Sequence, residues 1–222
     1  MNIASKKEAP AELRDLLFGD APMRQWLPVV TTGEPWSHFA TAARGLDAGN
    51  STGAKQALLE ITVMPELESR HYLQAWHFLR EPGVRPAADM KKHLYGAVVE
   101  VPVDGGIDVV AAYSDHRARY LNHAGRSIVW EADDAAMNKL IDDFLVVAKT
   151  IVDAIGPWEG ARPPAPKGSN VRMSMLTPSG LHFGEGPFAA MQKDRIGGPA
   201  IATAYNLMAG LVKYVRASKS GA

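Results

Sequence analysis

Residues 94–131, LYGAVVEVPVDGGIDVVAAYSDHRARYLNHAGRSIVWE, decide the fold of this chain. Runs rich in β-branched and aromatic residues are separated here by turn residues at intervals of about ten positions, as in consecutive short strands. Strands joined by such short turns run antiparallel. The pattern therefore predicts an antiparallel meander, with strands at 97–103, 107–113, 117–122 and 127–131.

Helical patterns flank the meander on both sides. Apolar residues recur at helical spacing before it and after it, and prolines or glycines end the segments. A proline-rich connector and a second hairpin, at 171–176 and 181–183, interrupt the second helical part. The fold class is therefore α+β, with a helical region at 1–90 and an α+β domain at 91–222. Predicted helices cover 11–18, 36–48, 53–64, 67–80, 86–94, 134–155 and 199–215, with a short helix starting at Pro187.

The composition limits the classes of function. The 222 residues include 24 basic and 24 acidic side chains, so the formal net charge is zero, and there is no cysteine. A balanced charge argues against a nucleic-acid-binding protein, and it allows self-association into a homo-oligomer. The missing cysteine excludes disulfides and cysteine-ligated metals. No apolar run reaches the roughly 18 residues of a membrane span and the first ten residues are polar, so we expect no membrane partner and a cytoplasmic location.

One helical stretch resembles a tetratricopeptide repeat. The break at Gly49-Asn50 is followed by Ala54, Leu58, Ile61 and Pro65, close to the spacing of the second helix of that repeat. The resemblance covers residues 36–83, about one and a half units, whereas an array needs about three. It implies helical hairpins that present a groove for peptides. An ordinary helical hairpin remains the alternative.

The candidate ligand-binding residues lie on the predicted strands. Period-two alternation places Arg117 and Arg119 on one face of the third strand. Arg172 and His182 would join them if the second hairpin belongs to the same sheet. Arginines side by side bind carboxylate or phosphate groups through paired hydrogen bonds. The alternative is a solvated sheet face whose arginines cover apolar neighbours.

No catalytic or metal-binding motif appears. The sequence contains no His-Glu-x-x-His pattern, and His71 and His77, six positions apart, point to different sides of a helix. We therefore assign no catalytic residue, no metal ligand and no cofactor. Among the tryptophans, Trp158 is interpreted as a clamp on the connector, whereas Trp26 is a candidate contact residue.

These observations favour a non-catalytic interaction or accessory protein that binds a protein or peptide partner. The basis is the tetratricopeptide-like region together with the lack of a recognisable catalytic motif. The alternative is a protein that binds a small anionic molecule, or an enzyme without a familiar motif, acting through the arginine-bearing sheet face. The spatial convergence of Arg117, Arg119, Arg172 and His182 decides whether that alternative holds.

Overall fold

A six-stranded antiparallel sheet forms the centre of the computed structural model, which describes residues 13–220. The strands lie in the order β4-β3-β2-β1-β5-β6, so the predicted meander forms four neighbouring strands and the second hairpin extends the sheet beside β1. Their bounds are β1 Gly96–Val103, β2 Gly106–Tyr113, β3 Ala118–Leu121, β4 Ser127–Trp130, β5 Asn170–Thr177 and β6 Gly180–Pro187.

The helices precede and follow the meander, which confirms the α+β class. Their bounds are α1 Met23–Trp26, α2 Trp36–Asp47, α3 Ser51–Val63, α4 Ser69–Arg80, α5 Ala135–Ala154, α6 Phe188–Met191 and α7 Gly197–Ser220. One predicted helix is wrong, and another is shorter than predicted. Residues 86–94 form turns, and the segment predicted at 11–18 is helical only at 13–15, with its first two residues outside the described range.

Local capping sets the start of two helices. The Asn50 side chain accepts a hydrogen bond from the Gly53 amide at 3.0 Å and begins α3. Asp134 does the same for the Met137 amide at 2.9 Å and begins α5. Asn and Asp satisfy the free amides of a first helical turn in this way.

Each face of the sheet buries its own set of apolar side chains. Residues alternate between faces along a strand, so neighbours in sequence enter different cores. One core joins strand residues such as Val98 and Tyr113 to the N-terminal helices. The other joins Val99 and Met173 to α5 and α7. The N-terminal helices therefore pack against the sheet, and the proposed boundary at residues 90–91 stays a prediction.

The N-terminal helices are arranged as successive hairpins. Helix α2 packs along α3, and α3 packs along α4. The resemblance to a tetratricopeptide repeat stays a prediction. Among residues 13–220, no helix combines the length and the apolar character that crossing a bilayer requires.

Candidate functional site

The four residues predicted to bind an anion do not form one site. The strand register pairs Arg119 with Ala111 and Arg172 with Glu100, which places both arginines on the face covered by the N-terminal helices. His182 pairs with Met175, whose side chain belongs to the opposite core. The register therefore brings Arg119 and Arg172 to one face of the sheet and places His182 on the other.

Two of the arginines are occupied by oxygen atoms of the protein. The buried Arg119 guanidinium donates to the carbonyls of Ala118 and Trp130, both at 2.9 Å, and to Glu131 at 2.6 Å. Arg117, which precedes β3, pairs with Asp115 at 3.2 Å and lies 3.9 Å from Glu68. Both side chains hold neighbouring segments together.

Arg172 anchors the proline-rich connector to the sheet. Its Nη1 donates to the carbonyls of Pro163 and Pro164 at 3.1 and 2.7 Å, and its Nη2 donates to Glu185 at 2.5 Å. The side chain is only 4% exposed, and its Nη1 lies 3.8 Å from the buried carboxylate of Glu100. The expectation of a solvated sheet face is also wrong here, because the connector and the N-terminal helices cover it.

His182 belongs to a hydrogen-bond network on the other face. Its Nδ1 donates to the Ile155 carbonyl at 3.1 Å, so its Nε2 is left as an acceptor, 3.3 Å from the Ser179 hydroxyl. Burial is the largest cause that lowers the pKa of His182, which favours the neutral ring.

Ser179 and His182 are residue types that can act as a nucleophile and its general base. The Ser179 hydroxyl proton, however, is donated to another acceptor. The Ser179 hydroxyl donates to the Lys91 carbonyl at 2.7 Å, a much shorter contact than the one to His182. Proton transfer to a base requires a hydrogen bond to that base. The network therefore ties the β5–β6 turn to the loop before β1 and to the end of α5.

A cleft of about 700 Å³ opens beside this turn. Four parts of the chain form its walls: the segment before α1, the second half of α4, the start of the connector and the β5–β6 turn. The lining includes both apolar and charged side chains. Its lining residues include Phe18, Gly19, Asp20, Leu73, His77, Arg80, Glu81, Arg85, Pro157, Trp158, Glu159, Arg162, Leu176, Ser179 and Leu181.

The wall before α1 is fixed by buried contacts. The Gln74 side chain donates to the Ala21 carbonyl at 2.7 Å and accepts from the Ala21 amide at 3.1 Å. The Tyr113 hydroxyl donates to the Leu17 carbonyl at 2.7 Å. Gly19, with φ of +62°, lies so close to α4 that a Cβ would stand 2.5 Å from Leu73 Cβ. This wall is therefore held against α4 and β2 by buried contacts.

The connector wall is held by Arg162 and presents Trp158. Arg162 pairs with Asp20 at 2.6 Å and stacks over the Phe18 ring at 4.1 Å. The Trp158 amide donates to the Leu181 carbonyl at 2.6 Å, and its indole donates to a carbonyl three residues on. The Trp158 ring nevertheless remains 49% exposed at the cleft.

Two arginines in the cleft have no acidic partner. Within residues 13–220, no carboxylate lies within 4 Å of the Arg80 or Arg85 guanidinium. Arg80 donates only to the Pro178 carbonyl, at 2.9 Å, and Arg85 donates to main-chain carbonyls at 3.3 Å. Burial is the main cause that lowers the pKa of Arg80 to about 10; Asp20 and Glu81 act in the opposite direction, and Arg85 adds to the lowering. An anion here would relieve that unfavourable environment.

Sequence reasoning missed these residues because their local patterns have ordinary explanations. Arg80 ends a helix, where a cation complements the helix dipole, and Arg85 follows a Pro-Gly turn. Trp158 is a clamp as predicted, but half of it is exposed. Trp26, predicted as a contact residue, is buried against Trp36.

Neither metal ligation nor similarity to other proteins identifies the function. In the described part of the chain, no group of three or more His, Asp or Glu side chains is arranged to hold a metal ion. Comparisons with protein-family models, with curated proteins and with solved structures find no match. The cleft geometry therefore carries the functional argument.

Burial of histidines leads to a prediction about acid stability. Burial is the largest cause that lowers the pKa of His71, His77, His93 and His182 from 6.5. Below pH 6.5 the unfolded chain therefore binds more protons than the folded chain, so the free energy of unfolding falls as the pH falls. We expect the Tm to decrease between pH 7.5 and about 5.5, the range above most carboxylate titration.

The His182→Gln variant provides the comparison for this prediction. The glutamine side chain does not titrate in this pH range. We therefore expect the Tm of the variant to decrease less steeply with acidification than the Tm of the wild type, whatever the Tm of the variant at neutral pH. Calorimetry at constant ionic strength measures both curves. A wild-type Tm that stays level or rises toward pH 5.5 would contradict the prediction.

Proposed function

We propose that this protein is a non-catalytic interaction protein that binds a segment of a protein partner in the cleft. The observation that carries the proposal is the 49% exposed Trp158, held on the rim of a 700 Å³ cleft. Tryptophan and arginine are enriched among the residues that supply most of the binding energy at protein interfaces. Arg85 and Arg162 line the same cleft.

Pre-organisation of Trp158 adds to this argument. Its main chain and its indole are both hydrogen-bonded, and its ring meets the Phe183 ring edge-on with centroids 5.3 Å apart. A side chain already fixed in one orientation loses little conformational entropy when a partner covers it. The exposed ring is therefore suited to contact a protein partner.

Replacing Trp158 with alanine tests the proposal. We expect partner affinity to fall at least tenfold, because truncating a central tryptophan costs about 2 kcal/mol or more. Affinity capture from the native host identifies candidate partners, and titration calorimetry with each purified candidate measures the loss. The control is Tyr205→Ala, since Tyr205 is 64% exposed on α7, which packs on the other face of the sheet. Equal affinity of both variants would reject the cleft as the binding surface.

Point variants are preferable to removal of the N-terminal region. Residues before 90 share a hydrophobic core with β1, β2 and β5, so their removal would expose that core. Lost binding by such a truncated chain would then report lost folding. The Trp158 side chain, half exposed on a connector, can be shortened with a smaller effect on the core.

A small anionic molecule is the second candidate occupant. The cleft volume of about 700 Å³ lies within the range of about 300–1,000 Å³ found for small-molecule sites, and two arginines lack acidic partners. Thermal-shift screening with anionic metabolites tests this candidate, because a ligand of the native state raises the Tm. A metabolite that binds with micromolar affinity and is unaffected by Trp158→Ala would favour this second function.

A further inference from the structure

The guanidinium of Arg80 has one hydrogen-bonding edge that is free to receive a ligand. Its Nη1 is used by the Pro178 carbonyl, whereas its Nε and Nη2 have no acceptor in the described part of the chain. Neither nitrogen is a buried atom without a hydrogen-bond partner, so both are accessible to solvent at the cleft. The Nε–Nη2 edge of arginine matches the two oxygens of a carboxylate.

The acids of the cleft form no ion pair with Arg80 within residues 13–220, although Asp20 and Glu81 stabilise its charge from a greater distance. Asp20 forms two contacts with Arg162, at 2.6 and 3.2 Å, and Glu81 lies 3.6 Å from His77. The lining also includes Glu159, so its three arginines and three acids balance in formal charge. Among residues 13–220, Arg80 and Arg85 are the arginines of this lining that have no carboxylate within 4 Å. Arg85 is close to Arg80, since its Nη1 lies 3.3 Å from the Arg80 carbonyl. The open guanidinium edge of Arg80, rather than an excess of positive charge, is therefore the feature that suits an anion with two oxygens.

Apolar side chains share the cleft with these cations. Leu73 and Leu176 are buried in its walls, and Leu181 is partly buried beside them. The last residue of a peptide carries a carboxylate and its side chain on the same Cα. An apolar C-terminal residue can therefore contact the arginines and the leucines together, whereas an Asp or Glu side chain carries only one or two methylene groups beside its carboxylate.

We propose that Arg80 and Arg85 bind the C-terminal carboxylate of the partner segment, and that its last side chain is apolar and contacts Leu73 and Leu181. This inference rests on the proposed function, because it names the group recognised in the same cleft. Arg80 supplies the paired hydrogen bonds, and the more exposed Arg85 supplies the second charge.

Titration of the full chain with small probes tests the carboxylate site. N-acetyl-leucine carries a carboxylate and an apolar side chain, N-acetyl-leucinamide lacks the carboxylate, and N-acetyl-glutamate α-amide carries only a side-chain carboxylate. At constant ionic strength, we expect N-acetyl-leucine to bind saturably at millimolar concentrations. The amide should bind at least tenfold more weakly, because it lacks the charged acceptor of the paired hydrogen bonds.

Variants assign the effect to the arginines. Arg80→Met and Arg85→Met should each weaken binding of N-acetyl-leucine several-fold, and Arg80→Lys should fall between wild type and Arg80→Met, because lysine keeps the charge without the paired donors. Arg126→Met, in the exposed turn between β3 and β4, is the matched control and should bind like wild type. A thermal melt without ligand shows that each variant is folded.

Several results would overturn the inference. They are equal binding of N-acetyl-leucine and its amide, tighter binding of the glutamate probe, unchanged binding by both methionine variants, and no saturation at all. Failure of the proposed function is distinguishable. If partner affinity depends on Trp158 but not on Arg80 and Arg85, only the carboxylate site is rejected. If N-acetyl-leucine binds but no partner depends on Trp158, only the interaction function is rejected.

Discussion

Replacing Arg172 with methionine is expected to lower the free energy of unfolding by about 3–5 kcal/mol, the cost of removing one partner from a buried ion pair. Arg172 is 4% exposed. Its loss removes the donor to the carbonyls of Pro163 and Pro164 and leaves Glu185 with only the hydrogen bond from Asn170. The fully buried Glu100 would also lose a nearby cation, 3.8 Å away. Urea unfolding followed by circular dichroism measures the change.

Two further variants make this prediction specific. Arg126→Met removes an exposed arginine and should change stability by no more than about 0.5 kcal/mol. The double variant Arg172→Met with Glu185→Gln should recover part of the lost stability, because the second change removes the carboxylate left unpaired. If Arg172→Met is as stable as Arg126→Met, the connector is not anchored by Arg172.

Replacing Gly19 with alanine is expected to cost about 2–5 kcal/mol. The residue has φ of +62°, which costs a residue with a Cβ about 1–2 kcal/mol. The added Cβ would also stand 2.5 Å from Leu73 Cβ, and displacing packed neighbours costs a further 1–3 kcal/mol or so. Gly19 and Leu73 both line the cleft, so the substitution should also change the shape of the cleft.

Gly49→Ala is the matched control for Gly19→Ala. Gly49 has a similar φ of +72°, but a Cβ there would meet no atom within 4 Å. It should therefore show only the conformational cost, about 1–2 kcal/mol. The difference between the two variants measures the close approach of the segment before α1 to α4. Equal destabilisation would mean that Gly19 and Leu73 are not in contact.

The candidate site shows where reasoning from local patterns fails. Alternation correctly predicted that Arg172 points to one face of a strand, but that face is covered by the N-terminal helices and the connector. The sequence leaves a solvated face as the alternative, because antiparallel sheets commonly have one solvated face. This sheet has helices on both faces, so Arg119 and Arg172 are buried and donate hydrogen bonds to other groups of the protein.

Residues with ordinary local patterns can also become part of a cleft. Arg80 looks like an ordinary helix-ending residue, and it becomes part of a cleft only because the turn at Pro178, about a hundred positions later, packs beside it. Trp158 likewise becomes a rim residue because the connector runs past the segment before α1, where Arg162 meets Asp20. Neither contact leaves a signal in the sequence around these residues.

The sequence by itself determined the meander, the principal helices and the α+β class, because strand alternation, helical spacing and turn residues act between positions close along the chain. Only the tertiary structure decided which arginines are buried as internal ties and which remain open to a ligand. The physical reason is that the free energy of a charge depends on its burial and on the oppositely charged groups within a few ångströms, and those groups come from distant parts of the chain.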